Sequence, residues 1–279
     1  MCSLQGEVKY LKDKMNKAER LSFLTKVLVE NPSQVFTLQY FSELLECAKS
    51  TLSEDFDVIG KLFVSMEVGQ IFSISGALGG VYFSPTLSSD QIQSVKEELC
   101  DLLNDKKRII TGGYLYMNDL FYDPKKLKKI ARSMVTQFAH LDFDYVVTIE
   151  TKGIPLAIIL ASLLNKPVVV VRKSARLTEG PTIQMNYITA SRSIKTMALP
   201  IKSIERKSKI LFVDDFMKAG GTAKGVIDLM KEFEVEVVGV AVVMATKEPV
   251  KKLIEHYYAL IEFDGINEET QTVRIFPKN

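Results

Sequence analysis

The chain has no tryptophan, two histidines and three cysteines among its 279 residues, and each scarcity closes off a class of chemistry. Cys2, Cys47 and Cys100 lie far apart and form no C-x-x-C pair. With only His140 and His256 to join them they do not compose a zinc site, and so sparse and odd a count excludes a disulfide framework. Such usage is expected of a reducing, cytoplasmic compartment. Long hydrophobic runs are missing as well. The longest, "IPLAIILASLL" at 154–164, has the length of a core helix and is too short for a membrane span. The opening "MCSLQGEVKYLKDKMNK" lacks the apolar stretch of a signal peptide. Neither GxxxxGK[ST] nor GxGxxG occurs, which removes the two commonest phosphate-binding loops. A net charge of +2 is too small to argue by itself for nucleic acid or a membrane. What remains is an ordinary globular mix, 47% apolar and 25% charged, long enough for one large domain or two of usual size.

The front of the chain is helical in period. Apolar residues at 21, 24, 27 and 28 predict a helix over 18–30, stopped by "NPSQ". Thr37 is placed to cap a second over 37–45. A third is expected at about 50–65, with Ser50 as its cap, Glu54 in the capping-box position, and Leu52, Phe56, Ile59 and Phe63 turned inward. Alternating runs at 70–74 and 80–84 flank a glycine-rich turn, the signal of a hairpin. Three short helices and a hairpin are the order of a winged helix-turn-helix, a pattern that also serves protein–protein modules. The expected division is an N-terminal extension at 1–14, a winged-helix domain at 15–85, a capped connecting helix within 86–108, and a third region at 109–279.

From 109 onward the texture changes. Runs of β-branched residues ("YVVTIE" 145–150, "PVVVV" 167–171, "KILFV" 209–213, "VEVVGVAVVMA" 235–245) alternate with helical stretches. That alternation predicts an α/β fold whose parallel sheet is covered on both faces. The tail "TVRIFPKN" reads as a last edge strand, and Cys47 and Cys100 as helical residues. His140 falls at the end of a helix, on the surface. Asp119 and Asp123 flank an aromatic-rich loop and receive no role. Residues 172–209 form a long polar excursion with nine basic residues against two acids, a balance of +7. A connection of that length inside a compact domain is usually functional.

The densest chemistry is in "ILFVDDFMKAGGTAKG" at 210–225. Ligands of open α/β sheets sit beyond the carboxyl ends of the strands, and Asp214 and Asp215 stand at that edge. Two carboxylates there suit the vicinal hydroxyls of a ribose. Gly220 and Gly221 let backbone approach closely, Thr222 adds a hydroxyl, and the following helix presents unpaired amides to an anion. Sugar hydroxyls at one end and phosphate at the other describe a ribose 5-phosphate. The plainer alternative is that the aspartates cap a helix and the glycines only make a turn.

This stretch resembles the phosphoribosyl pyrophosphate (PRPP) signature of the type I phosphoribosyltransferases, in its apolar strand, both acids and the GGT. "TIETKGIPLA" at 148–157 is similar to that family's pyrophosphate loop, with Lys152 and Gly153 at matching positions, and 172–209 occupies the place of its hood. The resemblance implies a type I phosphoribosyltransferase fold. It implies a PRPP site built from Asp214, Asp215, Phe216, Met217, Lys218, Ala219, Gly220, Gly221, Thr222, Thr151, Lys152, Gly153, Arg172, Lys173, Tyr187 and Tyr114. Where the family commonly has threonine before the glycine pair, this chain has Ala219 preceded by Lys218. That substitution removes one phosphate donor, and no general base for a purine N–H is identifiable, so no catalytic residues are expected.

From about residue 15 onward the chain resembles the bacterial purine operon repressors, in the helix–hairpin front, "ITGGYLYMND" (110–119), "RKSARLTEGPT" (172–182) and "DDFMKAGG". The resemblance implies a dimeric repressor of purine synthesis and salvage genes that leaves operator DNA when PRPP binds. It requires no cofactor, and PRPP acts as effector with or without Mg²⁺. A guanosine nucleotide such as ppGpp is expected to compete for the pocket, its base stacking on Phe216 and Tyr114. The alternative is an active, xanthine-like phosphoribosyltransferase with an accessory N-terminal module. Residues 1–85 hold eight basic and ten acidic side chains, a balance of −2 that runs against a DNA-binding role. In its favour, Lys9, Lys12, Lys14, Lys17 and Arg20 crowd the N-terminal arm and first helix. Lys49, Ser50, Thr51 and Ser53 at the start of the third helix suit a helix end entering the major groove.

Overall fold

A computed structural model describes residues 15–76, 79–188 and 193–278. The expected extension at 1–14 with Lys9, Lys12 and Lys14, the hairpin-tip residues 77 and 78, and Arg192 lie outside the described residues. The chain separates into two compact units: the first runs up to Leu87 and includes Leu163–Asn165, and the second comprises Ser88–Ser162 and the chain from Lys166 onward.

The first unit carries α1 (Lys17–Glu30), α2 (Leu38–Leu45) and α3 (Lys49–Ser65), then strands β1 (Gln70–Ile74) and β2 (Gly80–Ser84) paired antiparallel. Asn16 and Glu19 close a reciprocal capping box on α1, and the Thr37 hydroxyl accepts the Tyr40 amide at the start of α2. The expected Ser50 cap is not formed: α3 begins one residue earlier, at Lys49, behind Ala48, which makes no side-chain cap hydrogen bond. The inward stripe of α3 is as periodicity demands, with Leu52, Phe56, Ile59 and Phe63 all buried against Leu24, Leu28, Phe41 and Phe83. Each such side chain withdraws apolar surface worth about 1.5–3 kcal/mol from water. Cys47 lies in the turn between α2 and α3 instead of in a helix, whereas Cys100 is helical and buried.

The hairpin is held to the helices by backbone. Phe36 and Val81 exchange N–H···O bonds of 2.9 and 2.8 Å. A Cβ at Gly80 would sit 2.2 Å from the Phe36 carbonyl oxygen, so only glycine allows this approach.

The second unit is an α/β sandwich on a six-stranded sheet. Its strands are β5 (Tyr145–Ile149), β6 (Val168–Val171), β9 (Lys209–Met217), β10 (Glu236–Thr246), β11 (Tyr258–Asn267) and β12 (Thr272–Pro277). Their order is β12-β11-β10-β9-β5-β6, parallel except for the edge strand β12. Between and around them run α4 (Ser89–Leu103), the short strands β3 (Ile109–Ile110) and β4 (Tyr114–Leu115), α5 (Asn118–Phe121), α6 (Pro124–Phe138), α7 (Gly153–Leu164) and α8 (Gly221–Glu232). The helix expected as a connector, α4, is part of this unit: its buried face of Leu99, Cys100 and Leu103 packs toward β12 and α6. The polar excursion is a second ribbon, β7 (Thr182–Ile188) and β8 (Ile194–Pro200), paired from Thr182↔Pro200 to Ile188↔Ile194. Strand β9 runs four residues past the expected end and carries both aspartates inside it.

Candidate functional site

The cleft of the second unit, about 680 Å³, opens at the carboxyl ends of β5 and β9. Asp214 is held in the central strand and is only 8% exposed. Its Oδ1 accepts the Asp215 amide at 2.9 Å. Burial first, and the neighbouring Asp215 second, push the Asp214 carboxyl well above the usual carboxylate range. Asp215 and Phe216 follow half-buried, and Lys218 is exposed at the rim. Gly220 then takes φ +83° as N-cap of α8 and forms no side-chain cap, so the first amides of this helix are donors for an anion.

Beneath them the β5 end closes tightly. A Cβ on Gly153 would lie 2.3 Å from Thr148 Oγ1 and 2.9 Å from Asp214 Oδ1, which explains why glycine stands at this turn. Thr148 Oγ1 itself is buried with no hydrogen-bond partner. The 150–151 peptide is cis, and Thr151 and Lys152 face the cleft.

The ribbon supplies the remaining wall. Tyr187 is buried against α8 and shares a hydrogen bond with the Thr222 side chain; burial is the main cause that raises its hydroxyl pKa. Lys195 lies opposite Tyr187 in register and lines the cleft with Lys173. Lys195 and Glu150 were not singled out from the sequence; the alternation of 182–188 and 194–200, which sets that register, is the signal that finds Lys195. Lys152, Lys173, Lys195 and Lys218 thus line the same cleft as the two aspartates, cations able to meet an anion beside oxygens able to accept from hydroxyls.

Of the residues expected here, Tyr114, Thr151, Lys152, Lys173, Tyr187 and 214–222 all line the cleft. Gly153 supports it from below. Arg172 does not reach it: its guanidinium pairs with Glu179 at 2.9 Å and Glu150 at 3.6 Å, and its backbone bonds with Ala198.

On the first unit, Lys49 and Ser53 line a groove of about 360 Å³ together with Gln39, Asp57, Ser73 and the hairpin glycines. Lys17, Lys49, Ser50 and Ser53 are exposed and Thr51 is half-buried. Arg20 departs from expectation. Its Nε and Nη2 fork onto Asp55, which is 1% exposed, so this cation is committed to the interior. The pairing also accounts for one acid of an otherwise acidic domain.

Residues 16–85 match the family described as "Bacterial purine repressor, N-terminal", and residues 119–274 the "Phosphoribosyl transferase domain". The chain is 37% identical over 263 residues to the purine biosynthesis transcriptional repressor PurR of Bacillus subtilis (strain 168), covering 94% of this chain and 92% of that protein. It is 35% identical to the purine biosynthesis transcriptional activator PurR of Lactococcus lactis subsp. lactis, covering 94% and 97%. Similarity to the xanthine phosphoribosyltransferase of Clostridium novyi is 29% and spans 62% of this chain. Among solved structures, the adenine phosphoribosyltransferase of Thermoanaerobacter pseudethanolicus matches with a TM-score of 0.51 at 18% identity over 60% of this chain and 99% of that one, a likeness of fold alone. Among the described residues no helix is long and apolar enough to cross a membrane. A winged-helix front joined to a phosphoribosyltransferase fold, with relatives alike along nearly the whole length, places this chain in the bacterial family of purine biosynthesis transcriptional repressors.

Proposed function

We propose that the protein acts in the cytoplasm as a homodimer on operator DNA of purine synthesis and salvage genes, and that PRPP in the second unit's cleft releases it. The observation that carries this reading is the pairing of two carboxylates at a sheet edge with an uncapped helix start ringed by four lysines. Asp214 and Asp215 take the ribose hydroxyls, the amides of 221 and 222 the 5′-phosphate, and Lys152, Lys173 and Lys195 the pyrophosphate. The pyrophosphate either brings Mg²⁺ or is neutralised by these lysines, and titration with and without the cation separates the two.

The unit serves as a sensor and does not turn PRPP over. Ala219 stands where a phosphate-donating threonine is common in the transferases this unit resembles, which supports that reading. An effector shifts DNA binding only through its different affinity for the two states. The ribbon and the segment leading into it are the part that differs, because Lys173 and Lys195 are drawn to the bound polyanion and their positive field is withdrawn from DNA. A guanosine tetraphosphate competes for the same seat, its base between Tyr114 and Phe216, and favours the DNA-bound state.

Docking of the ribbon depends on Gly225, where a Cβ would lie 2.7 Å from Met197 Cε and 2.8 Å from Tyr187 Cβ. Gly225→Ala is therefore expected to lift the ribbon from α8 and weaken PRPP about tenfold, with overpacking costs of about 1–3 kcal/mol as the source. Calorimetry reads the loss, and operator affinity without PRPP stays as in the wild type. On the first unit, Lys49→Ala is expected to reduce the slope of log affinity against log salt by about one, measured by gel shift across a salt series.

The test of the reading as a whole is a gel shift on a purine promoter fragment with and without PRPP, run beside a nucleotide-formation assay with each purine base. Release by PRPP without product supports the sensor. Rapid nucleotide synthesis would instead favour an active xanthine-like transferase carrying an accessory module.

A further inference from the structure

We infer that the Arg108–Asp119 ion pair is a positioning device that holds Tyr114 over the effector cleft and so sets the affinity for base-bearing nucleotides separately from that for PRPP. The inference rests on the reading of the cleft given above and names a role for residues outside it. Tyr114 reaches the cleft on the β3–β4 hairpin, whose ladder has only the pairs Ile109↔Leu115 and Ile110↔Tyr114. A ribbon so short does not hold its own shape in water. Tyr114 is 71% exposed, so burial of its ring does not fix it either.

What fixes the hairpin is at its base. The Arg108 guanidinium donates to Asp119 Oδ1 at 2.7 Å and Oδ2 at 2.8 Å, and its Nη1 also donates to the Tyr116 carbonyl at 3.0 Å. The Tyr116 amide returns a 2.8 Å bond to the Arg108 carbonyl. One side chain therefore clamps both ends of the hairpin. Its anchor is rigid, because Asp119 belongs to α5, whose Leu120 and Phe121 are fully buried. Lys126 of α6 adds a second cation on Asp119 Oδ2 at 3.2 Å. The Arg108 hydrogen bonds hold the Asp119 carboxyl down at about 2, so the clamp is ionised throughout the neutral range. The guanidinium fork supplies a geometry that a lysine ammonium does not.

The pair would thus act on the part of a ligand that meets Tyr114, and PRPP has no base to offer it. The experiment compares the full-length wild type with Asp119→Asn, Arg108→Lys and Tyr114→Ala, using PRPP and guanosine 5′-diphosphate 3′-diphosphate as probes in calorimetry. Amide exchange across 109–117 is followed in the same proteins without ligand. We expect Asp119→Asn and Arg108→Lys to lose about tenfold in affinity for the guanosine nucleotide, the scale of one base–aromatic stack, with PRPP unchanged within twofold. Tyr114→Ala should lose as much, and adding Asp119→Asn to it should change nothing further. The Tyr116 amide should exchange faster in both clamp variants.

Equal loss for both ligands, or wild-type exchange at Tyr116 in the clamp variants, overturns the inference. If the wild type takes no guanosine nucleotide, base stacking in the cleft is refuted, and the exchange data still decide whether the clamp positions the hairpin.

Discussion

Arg20→Ala is expected to destabilise the first unit by about 3–5 kcal/mol, because it strands a buried carboxylate. Asp55 is 1% exposed within the core-facing side of α3, and its partner is a guanidinium that is itself 11% exposed. The pair spans from α1 to α3, so losing it removes a tie between two of the three helices as well as uncovering the charge. Chemical denaturation of the full chain, followed by the helical signal, reads the change as an early transition. The expected companion is Arg20→Met with Asp55→Leu, which removes both charges and restores most of the stability. A contact between Arg20 and a DNA phosphate would act differently. It would leave folding intact and lower the salt slope of operator binding, the behaviour assigned here to Lys49.

Asp214→Ala combined with Asp215→Ala is expected to cost PRPP affinity by two to four orders of magnitude. Hydrogen bonds to charged groups contribute about 1.5–3 kcal/mol each, and the ribose loses one to each carboxylate. Operator binding in the absence of PRPP should be unaffected, since both residues belong to the second unit's cleft. Asp214 is a buried carboxyl whose pKa is raised by burial first and by Asp215 second, so removing it relieves an unfavourable burial and the fold should not suffer. The measurement is calorimetry with PRPP beside a gel shift. If the variant still released DNA at wild-type PRPP concentrations, the effector would have to bind elsewhere.

Much of this was legible in residue order because it is locally encoded. The 52, 56, 59, 63 stripe of α3 and the Thr37 cap follow from a helical period and one hydroxyl. The β-branched runs at 145–149, 168–171 and 209–213 give the parallel core, and the doubled aspartate followed by glycines marks the carboxyl end of the central strand. What escaped is what depends on partners distant in sequence. Arg20 is drawn inward by a carboxylate 35 positions away, and Arg172 by acids on both sides of the ribbon's root. Lys195 reaches the cleft only because β7 and β8 pair in a register that seats it opposite Tyr187. Strand β11 has no clear signal in residue order, since "YALIEFDGIN" mixes its apolar start with acids and a glycine. Asp119 is likewise paired through the fold, with Arg108 eleven positions before it donating to both carboxylate oxygens.

The central claim is that binding of a phosphorylated sugar in one unit is reported as loss of DNA by the other. Fluorescence anisotropy of a labelled purine promoter fragment, bound by the wild-type protein and titrated with PRPP at fixed ionic strength, tests it most directly. Anisotropy is expected to fall to the value of free DNA while the PRPP added remains intact. A complex that persists when calorimetry shows the cleft saturated with PRPP would contradict it.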